Sequence, residues 1–464
     1  MSAAMADFAA IDRYLEDHLD ESLAELTRYA SQPSVAAQNL GMEECARLVS
    51  EMLRARGFSV EVVPAEGYPV VIAERPGQSE KTLLIYNHYD VQPPEPVEEW
   101  HSPPFAAEIR DGKLFARGAA DNKGNLVARL CAVEAWLRTR GALPLTVHFV
   151  MEGEEEVSSL HLHQFVRTHR DLVQADGCLW ESGYKDIQET PEVYMGAKGI
   201  LYLELEARGA NRDLHSSVAR IVPNPAWRLV WALSTFKDRH ENILIDGFSD
   251  DVAEPAPEEV EHLRRLAAGG NDDFRRRDLG IDQFLLGVTG MQLVKRNLFQ
   301  PTCTICGFVS GYTGPGSKTV LPSQATAKID FRLVPNQRPE DILDKVKRHL
   351  AQHGFADIQV RVLGMEHPAR TPVDSPVAKA VVQTAKEIYG RDPLVFPLMA
   401  GTGPMHELTA QFGIPTVGTG CGYAHSNVHA PDEHIRVEDF FQHMKHVALL
   451  LERFASAEVP RAPA

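Results

Sequence analysis

The chain has 464 residues, 44% of them apolar and 24% charged, which is long enough for more than one domain with its own core. A formal net charge of −17 argues against a nucleic-acid partner, and no apolar run approaches the roughly 18 residues of a membrane span. Six cysteines in so long a chain make no disulfide framework; Cys303 and Cys306 are the one close pair, and buried free thiols are the expectation.

The first residues, MSAAMADFAAIDRYLEDHLDE, carry acids through their apolar positions and lack a signal-peptide core, so a cytoplasmic location is expected. Ile11, Leu15, Leu19, Leu23 and Leu26 recur at helical spacing and predict one helix over 9–29. A second helix is predicted over 42–56, with Cys45, Leu48, Val49, Met52 and Leu53 on one face, and a strand over 58–63. Residues 82–86 form an apolar run of buried-strand length, after which His88 and Asp90 fall on one side of an extended chain. Open α/β sheets build their sites past the carboxyl ends of such strands. There the acid can hold one ring nitrogen of the histidine while the other meets a metal. A His-x-Asp pair alone is equally consistent with an ordinary loop.

Next, Gly118 and Gly124 bracket Asp121 ahead of a helix predicted over about 125–138, with Leu126, Leu130, Val133 and Leu137 on its buried face. An N-cap accounts for the aspartate but not for the glycines. A strand over 146–151 ends in Glu154, Glu155 and Glu156, where like charges repel unless a cation is near. Gly177–Trp180 is another short apolar strand, and Glu181 follows it; a strand over 414–418 leads to His425, His429 and His434. Nitrogen and oxygen donors at successive strand ends suit two zinc-like ions bridged by a carboxylate.

The middle of the chain reads differently. Residues 200–207 alternate, with Leu201, Leu203, Leu205 and Ala207 on one side, which predicts a half-exposed strand with a free edge. Residues 325–334 alternate too, and a helix over 341–350 with a strand over 358–363 completes an α+β unit, while 246–282 reads as a solvated excursion. Helices at about 377–389, 404–412 and 437–454 follow.

The motifs NHYDVQP, EGEEE, RDLHSS, GPGSKTVLPSQATAKIDFRLVP and HAPDE stand in one order along residues 26–452. In this the chain resembles the co-catalytic dinuclear zinc peptidase family of carnosinase, cytosolic nonspecific dipeptidase, aminoacylase, succinyl-diaminopimelate desuccinylase and carboxypeptidase G, and most of all its carnosinase and nonspecific dipeptidase branch. The resemblance implies an α/β catalytic domain over 1–197 and 369–464, a mixed sheet flanked by helices. Into it would be inserted an α+β lid and dimerisation domain over 198–368. It further implies that His88 and Glu181 bind one divalent ion, that Glu156 and His429 bind another, and that Asp121 bridges both. Zinc is the first expectation for these ions, with manganese and cobalt as alternatives. Asp90 would orient His88 and Glu155 would be the general base, with Glu154 as the alternative register. His215 would reach a neighbouring site to stabilise the oxyanion, Arg332 would grip a substrate carboxylate, and His367, Gly401 and Gly403 would contact substrate. The Asp121–Asn122 peptide is expected to be cis.

Two departures stand out: Glu181 replaces the aspartate usual in the dipeptidase branch, and Asn122 stands where a second aspartate is frequent. The implied function is a dipeptidase acting on dipeptides with a free C-terminal carboxylate, as a homodimer paired through the lid, with neither nucleic acid nor membrane as partner. The alternatives are an N-acyl-amino-acid amidohydrolase or carboxypeptidase with the same site and, in a different class, a non-catalytic binding relative.

Overall fold

A computed structural model describes residues 3–270 and 272–457. Two compact units emerge, one of Met1–Gly196, Arg370–Pro397 and Pro404–Ala464, the other of Ala197–Ala369 and Leu398–Gly403. The first unit opens with α1 (Ala3–Asp17), α2 (Leu19–Ala30), α3 (Met42–Ala55), β1 (Ser59–Val63), β2 (Val70–Arg75), β3 (Thr82–His88), α4 (Gly124–Arg140), β4 (Thr146–Glu152), β5 (Gly177–Trp180) and β6 (Glu192–Tyr194). The second contains β7 (Gly199–Arg208), α5 (Pro225–Leu233), β8 (Thr304–Ser310), β9 (Gln324–Leu333), α6 (Pro339–Gln352) and β10 (Gln359–Glu366). The chain returns to the first unit through α7 (Pro376–Tyr389), β11 (Leu394–Phe396), β12 (Thr416–Gly418) and α8 (Val437–Ser456).

The first unit is built on a mixed eight-stranded sheet in the order β1-β2-β4-β3-β5-β12-β6-β11. Its centre, β4, β3, β5 and β12, is parallel. Leu83, Leu84, Ile85 and Tyr86 are all fully buried there, as are Cys178 and Leu179. Strands covered on both faces have no polar side to alternate with, so they read as continuous apolar runs. α4 packs against α8, α1 and α2. It is buried almost all round rather than on one face: Val127, Ala128 and Ala132 are as inaccessible as Leu126, Leu130 and Val133.

The single helix expected over 9–29 is two helices, broken at His18 (φ −115°, ψ 22°). Both α1 and α2 pack on α4. The apolar spacing therefore records the shared burial of Ile11, Leu15 and Leu26, not an unbroken chain.

In the second unit an antiparallel sheet runs β8-β9-β7-β10. Its covered face carries Leu201, Leu203, Leu205 and Ala207 from β7 and Ala325, Ala327, Ile329, Phe331 and Leu333 from β9, with α5 and α6 packed on the sheet. The free edge expected along 200–207 is not there, because β7 pairs on one side with β9 and on the other with β10. Alternation marked a strand covered on one face, and that pattern does not distinguish an edge from an interior position. The edges are β10 and β8, and on β8 Ile305 (56%) and Val309 (62%) lie exposed and no residue is charged. Residues 246–282 are not merely a solvated excursion: they include the helices Pro257–Gly269 and Asp272–Asp278, and Leu263 and Leu266 are buried. All six cysteines are free thiols, and five are buried as expected; Cys306, on β8, is exposed.

Candidate metal centre

Three of the central strands, β3, β4 and β5, lead at their carboxyl ends to polar side chains of the cluster, while His429 comes from the loop well beyond β12. His88 closes β3 and is fully buried. Its Nδ1 lies 3.0 Å from the Asp90 carbonyl oxygen and 3.4 Å from Asp90 Oδ1. Its Nε2 faces the opposite way, 3.1 Å from Asp121 Oδ1 and 3.6 Å from Glu181 Oε2. Asp121 sits in the tight turn ahead of α4, and its peptide bond to Asn122 is cis. The second Asp121 oxygen, Oδ2, is 3.3 Å from His429 Nε2, which is also 3.3 Å from Glu156 Oε2. His88, Glu181, Asp121, Glu156 and His429 thus form one continuous cluster, with one oxygen of Asp121 turned to each histidine.

The cluster is electrostatically strained without a cation. Burial, reinforced by the Asp121 and Glu156 carboxylates, pushes Glu181 up to about 8 against the pull of His88. Burial and then Glu181 likewise hold Glu155 well above the usual carboxylate range. Asp121 is held below that range: burial opposes this, but His429 and His88 outweigh it. His429 in turn is raised to about 10 by Asp121 and Glu156. Glu181 Oε2 is buried with no hydrogen-bond partner among the described residues. Two imidazoles and three carboxylates, one with an orphaned oxygen, are a donor set that zinc, manganese or cobalt accepts, and a divalent charge relieves the repulsion among the acids. The residues present fit a dinuclear metal centre.

The three consecutive glutamates part company. Asp90 Oδ1 and Oδ2 accept the backbone N–H groups of Glu155 and Glu156 at 3.3 and 3.0 Å, so one aspartate touches both His88 and the glutamate turn. The carboxylate of Glu154 instead meets His161 Nδ1 at 2.9 Å, away from the cluster. Three residues near the site escaped the sequence reading. Gln92 donates from Nε2 to Glu156 Oε2 at 2.9 Å. Asn87 donates from Nδ2 to Asn122 Oδ1 at 2.7 Å, which gives the unusual Asn122 a defined partner. Arg129, fully buried in α4, donates to the Tyr86 carbonyl at 3.0 Å, to Asn87 Oδ1 at 2.8 Å, to the Thr419 carbonyl at 3.1 Å, and to the Trp180 carbonyl. It ties together the ends of β3, β5 and β12. Gln92 lay inside a quoted motif and could have been read from it; Arg129 carried no local signal.

The other candidates lie in the second unit. His215 is exposed, in a short pairing of Leu214–His215 with Val320–Leu321, and its Nδ1 accepts the Ser217 N–H at 3.2 Å. Arg332, on β9, donates from Nη1 to Thr402 Oγ1 at 2.6 Å and from Nε to Asp330 Oδ2 at 3.2 Å. Gly401 accepts the Lys198 N–H through its carbonyl at 3.0 Å, so Arg332 stands beside the Leu398–Gly403 segment that carries Gly401 and Gly403. His367 Nε2 is 3.1 Å from Glu340 Oε2.

A family model described as peptidase family M20/M25/M40 matches residues 84–453. Among curated proteins, the Beta-Ala-His dipeptidase of Mus musculus is 28% identical over 412 residues, 82% of each chain. The Cys-Gly metallodipeptidase of Schizosaccharomyces pombe is 29% identical over 72% of this chain and 73% of its own. Among solved structures, an M20 family metallo-carboxypeptidase from Sulfolobus solfataricus superposes with a TM-score of 0.90 at 38% identity, covering 94% of this chain and 99% of that one.

Proposed function

The chain belongs to peptidase family M20/M25/M40, and from that premise we propose that it is a metal-dependent dipeptidase cleaving dipeptides with a free C-terminal carboxylate. The observation that carries this reading is the run His88–Asp121–His429, in which the two oxygens of one carboxylate face two histidines. His88 and Glu181 would hold one divalent ion, Glu156 and His429 the other, and Asp121 both. Bound there, such ions supply Lewis acidity that polarises the scissile carbonyl and acidifies water.

The protein's own residues do the rest. Asp90 fixes the ring of His88 through Nδ1 and so keeps Nε2 turned to the carboxylates. Glu155 takes the proton of the attacking water and hands it to the leaving amine nitrogen. Glu154 is a poor alternative for that role, since His161 already engages its carboxylate. The planar fork of Arg332, steadied by Thr402 and Asp330, grips the substrate carboxylate, with Gly401 and Gly403 allowing close backbone approach. His215 donates to the developing oxyanion.

We infer further that the enzyme is a homodimer paired through the second unit, so that His215 completes the partner's site. Supporting this are the uncharged, apolar edge strand β8 and the exposed, stacked Trp227 and Trp231 of α5. An unguarded edge of this kind is relieved by pairing with a second copy. A cytoplasmic location is consistent with six free cysteines, and no helix among the described residues is long and apolar enough to cross a membrane.

One observation favours a second reading, a carboxypeptidase: the 38% identity with the Sulfolobus solfataricus enzyme, together with Glu181 in place of aspartate. The test is a panel of dipeptides, longer peptides and N-acyl-amino acids, assayed on stripped enzyme reloaded in turn with zinc, manganese or cobalt. Fastest turnover of dipeptides is expected. Preference for longer peptides would favour the carboxypeptidase, preference for N-acyl-amino acids the amidohydrolase, and no turnover with any metal would remove the catalytic reading altogether.

A further inference from the structure

The HAPDE motif contains a glutamate that the proposed chemistry does not use. Glu433 is fully buried. Its Oε2 accepts from Arg117 Nη1 at 2.5 Å and from the Gly118 N–H at 2.9 Å. Its Oε1 accepts from the Ala120 N–H at 2.9 Å and from the N–H of Asp121 itself at 3.0 Å. Its backbone carbonyl accepts the Ala116 N–H at 3.0 Å. One carboxylate therefore gathers the backbone of the turn that presents Asp121. That turn needs Gly118 at φ +83°, where a Cβ would meet Val91 Cγ1 at 2.3 Å.

The other end of the same short segment presents His429. Asn427, His429 and Asp432 all have left-handed backbone, with φ of 54°, 62° and 57°. Non-glycine residues persist in that region only where surrounding contacts impose it. Glu433 is the fixed point beyond them. We propose that Glu433 is a positioning residue: it ties the Asp121 turn to the His429 loop and thereby sets the spacing of these two ligands. This rests on the metal-centre reading given above. A plain structural role, a buried ion pair with Arg117 that serves only the fold, makes a different prediction.

The test uses metal-stripped full-length protein titrated with zinc or cobalt by calorimetry, with thermal unfolding of the stripped form measured alongside. The variants are Glu433→Gln, Glu433→Asp and, as control, Arg117→Lys, which disturbs the ion pair but leaves the carboxylate on the three backbone N–H groups. Wild type is expected to take up two ions per chain. Glu433→Gln is expected to bind metal about 10- to 100-fold more weakly, the usual cost of losing an outer hydrogen bond to a ligand. Glu433→Asp keeps the charge but falls short of the turn, and should show a similar loss. Arg117→Lys should lower the melting temperature with metal affinity close to wild type. The proposal is overturned if both Glu433 variants bind like wild type, or if Arg117→Lys loses as much affinity at equal loss of stability. Failure of both Glu433 variants to fold would assign the residue to the fold and overturn it equally. Wild-type protein that binds no metal would instead defeat the metal-centre reading itself.

Discussion

In the first unit the candidate residues are buried or half-buried, with the exception of His429, whose loop leaves it exposed. His88 and Asp90 are at most 1% exposed, and the parallel strands β3, β4 and β5 deliver His88, the glutamate turn and Glu181. Asp90, Gln92 and Arg129 then fix the strand ends and the glutamate turn that follow. In the second unit His215 is exposed and Arg332 half-buried, on antiparallel pairs with one open face. On the proposed function, the difference separates two jobs. A metal centre needs donors whose positions are overdetermined, because misplacement by a fraction of a bond length loses the ion. Groups that meet a substrate which must arrive and leave are better placed on accessible surface. Substitutions of the proposed metal ligands in the first unit should thus act through metal content, and those in the second unit through kinetics with the metal retained.

The sharpest test of that division is Asp121→Ala. Removing the carboxylate between His88 and His429 should abolish turnover and reduce metal content, as read by elemental analysis of dialysed protein. Full metal content in that variant would break the comparison at its root. The next largest effect is expected for Glu155→Gln, which should lower kcat by at least about 10²-fold, the scale of a general base, with metal content and melting temperature nearly unchanged. Glu154→Gln should leave most of the activity, since that carboxylate faces His161. If the two variants behave the other way round, the assignment of the base within the glutamate run is wrong.

How much of this was legible in the sequence follows from the same physics. His88, Glu156 and Glu181 stood out because a strand buried on both faces writes an uninterrupted apolar run, so the polar residue that ends it is conspicuous. β7 and β9 were legible through strict alternation. What escaped was contact between distant segments: Arg117 and Glu433 are 316 residues apart, and Arg129 and Thr419 290. Neither pair leaves a periodic trace. β8 escaped for another reason: it is largely exposed on both faces and so neither alternates nor forms a buried run. The free edge was misplaced onto β7 because alternation shows which face of a strand is covered and not which strands flank it.

A smaller effect than loss of Asp121, on the scale of losing the proposed base but confined to the second unit, is expected for His215→Ala. Loss of one oxyanion donor should lower kcat about 10²- to 10³-fold with both ions retained. Mixing it with Glu155→Ala should partly restore activity once subunits exchange, since one site in the mixed dimer then has both groups. Val309→Lys, placing a charge on the free edge of β8, should shift the protein toward monomer in sedimentation. A fully active monomer, or no rescue despite proven exchange, would sink the shared site and leave the two units functionally independent of a partner.

The smallest effect is expected for Arg332→Lys, and it probes the second unit most directly. The guanidinium spends Nη1 on Thr402 and Nε on Asp330. Those two bonds fix its plane and leave Nη2 to meet a ligand carboxylate. A lysine keeps the charge but has no fork, so it cannot hold Thr402 and Asp330 while also addressing a carboxylate in a fixed orientation. The expected loss is about one charge-assisted hydrogen bond, on the order of a 10-fold rise in KM. Because a substrate carboxylate remote from the scissile bond is held alike in the ground and transition states, kcat should hardly change. Metal content should not change either, in contrast to every ligand substitution in the first unit. A substrate lacking the terminal carboxylate, such as a dipeptide amide, should be equally poor for wild type and variant. If Arg332→Lys instead lowered kcat at constant KM, the arginine would be acting on the transition state, and the proposed separation between a rigid metal unit and a substrate-gripping unit would fail there.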